Sequence, residues 1–151
     1  MILAIDPGTT ESGWCIYDGK RVVDSGITAN AEMLYAIPYV PADRLAIEMI
    51  ASYGMAVGRE VFETVWWIGR FTQAYHKPEE VIRIYRQEVK LFVCKDTRAK
   101  DSNIRQGLID MLGPPGTKKN PGPTYGIKSH AWAALGVAVT AASKLGVSSH
   151  G

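Results

Sequence analysis

Hydrophobic and polar positions alternate between two periods along the chain, and the change of period marks its elements. Ile2 to Ile5 are aliphatic without a break, the pattern of a short strand buried on both faces. Gly13 to Asp18 and Arg21 to Thr28 follow as a second and third strand, joined at Asp18-Gly19, a strong hairpin signal. Residues 29–42 are weakly patterned; 31–37 allow a short helix stopped by Pro38 and Pro41. Arg44 to Ile50 reads as a fourth strand. From 58 to 75 the period becomes helical, with Val61, Phe62, Val65, Trp66, Gly69 and Thr72 on one stripe. Trp67, Ile68 and Phe71 widen its apolar surface, so this helix is either sandwiched between the sheet and a partner or buried within one molecule.

Val81 to Tyr85 alternates as a fifth strand, Arg86 to Cys94 reads as a short helix, and Asp101 to Leu112 as an amphipathic helix capped by Asp101. The stretch 113–126 is dense in Gly and Pro and is read as a loop. Ser129 to Lys144 is a final helix rich in alanine, small enough to pack closely on a sheet. The small, polar residues 147–151 read as a frayed, flexible tail. The order predicts an α/β fold: a mixed sheet, three antiparallel strands then parallel ones, flanked by helices in a single domain over 1–146.

Composition narrows the classes without choosing among them. The 151 residues are 46% hydrophobic and 21% charged, enough for a real core and too apolar for disorder. A net charge of +2 permits a polyanionic partner without demanding one. Cys15 and Cys94 lack partners at zinc-like spacing and read as buried thiols of a reducing cytoplasm. Neither a signal-peptide pattern nor a charge-free run of membrane-spanning length occurs.

Chemistry concentrates where strands end. The first strand runs into Asp6, followed at once by Pro7 and Gly8, with hydroxyls at Thr9, Thr10 and Ser12. Such an acid either holds a divalent metal or bonds the amides of an Asp-Pro-Gly turn. The fourth strand repeats the pattern with Glu48. A carboxylate in a buried strand costs several kcal/mol, of order, unless paired or metal-bound. Glu48 therefore either shares a metal with Asp6 or pairs with an arginine. Two adjacent carboxylates need cations to stay ionised, and a pair of Mg²⁺ ions turns such a site toward phosphodiester cleavage. Ser129-His130 can add a ligand or a base.

Four segments together resemble the RuvC-like resolvases of the ribonuclease H superfamily, especially the small bacteriophage type. They are Ile5-Asp-Pro-Gly-Thr-Thr10-Glu-Ser-Gly13, Leu45-Ala-Ile-Glu48, Ala99-Lys-Asp-Ser-Asn-Ile-Arg105 and Ser129-His130-Ala-Trp-Ala133-Ala134-Leu135. The resemblance implies a ribonuclease H-like fold and a homodimer that cuts branched DNA, notably four-way junctions, with Mg²⁺ or Mn²⁺. It carries metal-binding and catalytic roles onto Asp6, Glu48 and His130. The usual acid three residues after His130 falls on Ala133, which cannot bind metal, and Asp101 is the spare acid to consider in its place. Lys95, Arg98, Lys100, Arg105, Lys118, Lys119 and Lys128 are the candidate phosphate contacts, with Arg59, Arg70 and Arg86 behind them. Tyr53 and Tyr125 are candidates for stacking on unpaired bases.

Two rival classes remain. Actin-like, heat-shock and sugar-kinase ATPases also open with a strand, Asp-x-Gly-Thr-Thr and a hairpin. They bind nucleotide between two such domains, and this chain is too short for both, so no nucleotide cofactor is expected. A non-catalytic branched-DNA-binding relative is the other, and Ala133 is its motive.

Overall fold

The computed structural model describes residues 1–146; the expected tail, 147–151, lies outside the described residues. Five strands form one mixed sheet in the order β3-β2-β1-β4-β5. They are β1 (Ile2–Asp6), β2 (Glu11–Tyr17), β3 (Val22–Ala29), β4 (Arg44–Met49) and β5 (Ile82–Tyr85). β1, β2 and β3 pair antiparallel, whereas β4 lies parallel to β1, and β5 parallel to β4. The expected mixed sheet is therefore present, with β1 at its centre, as an aliphatic run buried on both faces requires.

Helices cover both faces. On one lie α3 (Arg86–Cys94), α4 (Asp101–Leu112) and α5 (His130–Leu145); Ala134, Leu135, Val137 and Ala138 of α5 are completely buried among Ala4, Cys15 and Ala46 of the strands. On the other lie α1 (Asn30–Ala36) and α2 (Arg59–Ala74), whose Met33, Ile68 and Phe71 pack on Leu3, Ile5, Leu45 and Ile47. Alternate residues of β1 and β4 thus feed opposite cores, the two-residue period of a strand buried on both sides.

Three sequence readings are corrected here. The buried stripe of α2 is Thr64, Ile68 and Phe71, continued by Tyr75, and not the stripe through Phe62, Trp66 and Gly69. Phe62 and Trp66 are 65% and 58% exposed, so α2 is not fully enclosed within the molecule. Both stripes are apolar, and periodicity alone does not say which one meets the sheet. Cys94 is only half-buried; Cys15 is buried, and burial, with Asp24 adding to it, pushes its thiol up to about 12. Asp101 is the first residue of α4 and does not cap it: the side chain that closes this end is Asn103, whose Oδ1 accepts the Lys100 amide at 2.9 Å.

The turn after β1 is locked by a buried polar network that the hydropathy pattern does not reveal. Ser12 Oγ donates to Asn30 Oδ1 at 2.6 Å, Asn30 Nδ2 donates to the Gly8 carbonyl at 2.9 Å, and the Gly8 amide donates to Ser12 Oγ at 3.3 Å. Ser12 and Asn30 are both almost fully buried, so these bonds replace water that neither group can reach. Ser12 therefore shapes the turn and is not held out toward a ligand. Asn30→Ala strands the Ser12 hydroxyl and the Gly8 carbonyl; a loss of about 2 kcal/mol in urea unfolding is expected.

Candidate active site

Parallel pairing decides what meets at the site. Ile5 is in register with Ile47, so the next residues, Asp6 and Glu48, sit side by side at the carboxyl ends of β1 and β4. Glu48 is in turn in register with Ile84 of β5. β5 ends at Tyr85, and Arg86, the next residue, opens α3 at the same edge. Three adjacent strand tips thus deliver an acid, an acid and a guanidinium to one edge of the sheet. The amino-terminal ends of α4 and α5 bring Asp101 and His130 to that edge.

Asp6 and Glu48 are mostly buried, with side chains 12% and 15% exposed, and are within hydrogen-bonding reach of each other. Burial pushes the Glu48 carboxyl up to about 8, and the hydrogen bond to Asp6 and its negative charge add to this, against the opposing pull of Arg86. Burial raises Asp6 as well, while the bond from Glu48 and the charge of Arg86 act the other way. The pair therefore holds a shared proton at neutral pH, the expected answer of two carboxylates forced together without a cation.

His130 Nδ1 lies 3.0 Å from Asp6 Oδ2, within hydrogen-bond distance. Gly13 makes this approach possible. It lies opposite Asp6 in the β1–β2 pairing, and a Cβ there would fall 2.5 Å from the His130 carbonyl carbon. Ser129, at φ +49°, turns the chain sharply into α5 and delivers the imidazole to the site edge. His130 remains 68% exposed on the solvent side of the acids.

A cleft of about 280 Å³ opens beside these groups, lined among others by Glu48, Arg86, Asp101, Arg105, His130 and Ala133. Arg86 Nη1 is 3.6 Å from Glu48 Oε1, and its Nη2 forms an ion pair with Asp101. Glu48 thus faces both an arginine and a second acid. Arg105 lies on the opposite wall, its guanidinium 4.9 Å from the Trp132 ring centre.

The remaining candidate basic residues are exposed but stand outside this lining. Lys95 ends α3 in the left-handed conformation, Arg98 bonds Asp96, and Lys100 precedes α4. Lys118 and Lys119 lie in the 113–129 loop, at a turn closed by the Gly116–Pro121 bridge, and Lys128 lies just before Ser129. Tyr53 and Tyr125 are exposed at 58% and 45%, and neither lines the cleft. Among the seven basic residues put forward first, the cleft takes in Arg105 alone. Arg86, among the secondary candidates, is the residue whose position the sequence undervalued; its signal is its place directly after β5, whose end lies beside the end of β4.

Two buried carboxylates and an imidazole form an oxygen and nitrogen donor set that suits a hard divalent cation. Among the described residues no group of three or more His, Cys, Asp or Glu side chains converges tightly enough to hold an ion by itself. That matches Ala133, which puts a methyl group in the cleft wall. Mg²⁺ is commonly held by one or two carboxylates, with waters and substrate phosphates completing its shell, so Asp6 and Glu48 still fit such an ion.

The architecture, a mixed five-stranded sheet flanked by helices, is a RuvC-like fold. Thermus thermophilus RuvC has this fold: its structure in complex with a Holliday junction substrate matches with a TM-score of 0.70 at 18% identity, covering 97% of this chain and 96% of that one. A second T. thermophilus RuvC structure matches with a TM-score of 0.67 at 19% identity over the same shares. No protein-family model matches the sequence, and no curated protein does. Among the described residues no helix is long and apolar enough to cross a membrane.

Proposed function

We propose that this chain is a metal-dependent, structure-selective endodeoxyribonuclease that cuts phosphodiesters in branched DNA, four-way junctions foremost. The observation that carries this reading is the Asp6–Glu48 pair: two carboxylates forced together at strand tips, with Glu48 lining a cleft that also takes in Arg86 and Arg105. A protein does not maintain that repulsion for stability, and a cation resolves it. The shared fold with T. thermophilus RuvC, described with a Holliday junction substrate, supports branched DNA as the substrate class.

Asp6 and Glu48 would hold Mg²⁺ or Mn²⁺, with His130 as a further ligand or as the group that orients the attacking water. A bound divalent ion supplies a more acidic water and offsets charge building on the phosphorus. His130 would have a defined part: with Nδ1 held against Asp6, its other ring nitrogen would be placed on the exposed side to take a proton from an attacking water. Arg105, steadied against Trp132, grips the backbone beside the cut. The exposed lysines and arginines of 95–100, 118–119 and 128 hold the flanking strands by charge, which makes binding strongly salt-dependent.

The second reading, binding of branched DNA without cleavage, draws on Ala133. Labelled four-way junction, flap and linear duplex incubated with the protein in Mg²⁺ and in Mn²⁺ separate the two. Nicks confined to branched substrates support the nuclease; tight binding with no product in either metal supports the binder.

The protein would act as a homodimer joined through the outer face of α2. Phe62 and Trp66 are exposed there, and Arg70 stacks 4.9 Å and 4.5 Å from the rings of Trp66 and Trp67. Stacked arginine and tryptophan at the centre of a patch is the composition of an interface hot spot. Light scattering is expected to give a dimer for the native chain, with Trp66→Glu weakening it about 30-fold or more. A native monomer at micromolar concentration would remove this face from consideration.

A further inference from the structure

Arg86 has no counterpart in a plain acidic metal site, yet it occupies the third strand tip, in line with Asp6 and Glu48. Its 3.6 Å approach to Glu48 is too long for a firm hydrogen bond, and its close partner is Asp101. Asp101 is 86% exposed and lies at the positive end of α4, where its charge is stabilised without help from Arg86. The ion pair therefore does more for the position of Arg86 than for the comfort of Asp101. Arg86 is itself 36% exposed, so the guanidinium is anchored by one edge and still open to the cleft.

Charge in the site is uneven in a telling way. Ala133 leaves the α5 wall of the cleft without a carboxylate, and Arg86 adds a fixed positive charge on the α3 wall. Asp6 and Glu48 beside one guanidinium leave one net negative charge, which one dication balances only together with the single negative charge of a scissile phosphodiester, and a second dication would stand unbalanced. A guanidinium is also a planar donor matched to two oxygens of one phosphate group.

Resting on the nuclease reading above, we infer that the site works with one divalent ion per chain and that Arg86 takes the place of a second. Its guanidinium contacts the non-bridging oxygens of the scissile phosphate and stabilises the charge that develops there. Asp101 is a positioning residue that holds Arg86 at this station. No bond is made or broken by Arg86; it remains protonated throughout.

The test counts metal as well as turnover. Mn²⁺ bound to the purified full chain is measured by titration calorimetry and by the free-Mn²⁺ paramagnetic resonance signal, with the four-way junction added separately for binding and single-turnover cleavage. The native protein is expected to bind one Mn²⁺ per chain. Arg86→Ala should keep that ion, and keep junction affinity within about threefold, since one phosphate contact among many is lost. Its cleavage rate should fall about 10²- to 10³-fold, the usual effect of removing one transition-state donor. Arg86→Lys should recover part of the rate, and Ala133→Asp added to Arg86→Ala should bring in a second Mn²⁺ and restore cleavage. Asp101→Asn should lower the rate less than Arg86→Ala and leave the Mn²⁺ count at one. Two Mn²⁺ per native chain, or an Arg86→Ala variant that cuts at the native rate, would overturn the inference and leave the nuclease reading standing. A native protein that binds the junction and cuts it with neither metal would remove the nuclease reading and, with it, this role for Arg86. A melting temperature for each variant shows that the fold is retained, and failure of Arg86→Ala to fold transfers the decision to Arg86→Lys and the native Mn²⁺ count.

Discussion

Asp6→Asn is expected to abolish metal-dependent cleavage and, at the same time, to make the metal-free protein more stable above neutral pH. The two effects have one cause. Asp6 lies against Glu48 with both carboxyls mostly buried, and their repulsion is a cost carried by the folded state. Replacing one carboxylate by an amide of the same shape removes the repulsion and permits a hydrogen bond between the two side chains. On the proposed nuclease reading it also removes a metal ligand. Single-turnover nicking of a four-way junction should fall on the order of 10³-fold or more. The metal-free melting temperature at pH 8 should rise by about 3 °C or more. Glu48→Gln should behave in the same way. A variant that lost activity by misfolding would lower both readings, so the opposite signs are the informative result. Stability and activity opposing each other at one residue is the mark of a functional site.

The second large effect is a dependence of stability on pH that metal reverses. Glu48 titrates at about 8 in the folded protein, against an ordinary value of 4.5. Between those values the folded state binds more protons than the unfolded chain, so stability falls as pH rises. The contribution is fully present below the ordinary value and is lost as pH passes through the folded one. Asp6 is raised too and acts in the same direction. Asp18, Asp43 and Glu88 are lowered, and their contribution is lost on the acid side, below their ordinary values. From pH 5 to pH 9 in chelator, urea unfolding should lose a few kcal/mol, of order, through the site pair. Glu48→Gln should flatten that slope. Mn²⁺ should stabilise the protein far more at pH 8 than at pH 5.5, because binding requires the shared proton to leave. Equal stabilisation by Mn²⁺ at both pH values would contradict the assignment of the ion to these carboxylates.

Much of this site is legible in the sequence because burial makes charge expensive. An unbroken aliphatic strand that ends on an acid stands out, and the chain contains this pattern at both Asp6 and Glu48. Their adjacency is less legible. It depends on β4 pairing parallel to β1 with Ile5 opposite Ile47, a tertiary fact that no local period encodes. His130 is marked by its place at the start of the last helix, and its reach to Asp6 depends on Gly13, whose missing side chain admits that helix. Arg86 was undervalued because an arginine in a helix reads as solvated charge until the strand before it is seen to end at the same edge. Lys118 and Lys119 lie outside the cleft lining, because a loop carries charge anywhere and sequence does not say where the loop turns. The sequence leaves α2 either buried within one molecule or carrying an outward apolar face, because two apolar stripes share that helix. Only packing separates Phe71, which is enclosed, from Trp66, which is not.

Ala133 is where the sequence and the chemistry of the site press hardest on each other. A methyl group stands where the resemblance leads one to expect an acid, and the described residues offer no compact cluster of three ligands. If Asp6 and Glu48 together still hold an ion that cuts DNA, the native protein must act where branched DNA and a divalent metal are both present. The direct measurement is cleavage of an end-labelled four-way junction by the native protein in Mn²⁺ and in Mg²⁺, with a linear duplex of the same sequence beside it. Metal-dependent nicks at the branch, absent from the duplex and lost in Asp6→Asn, are the predicted result. Junction binding with no nick in either metal would contradict it.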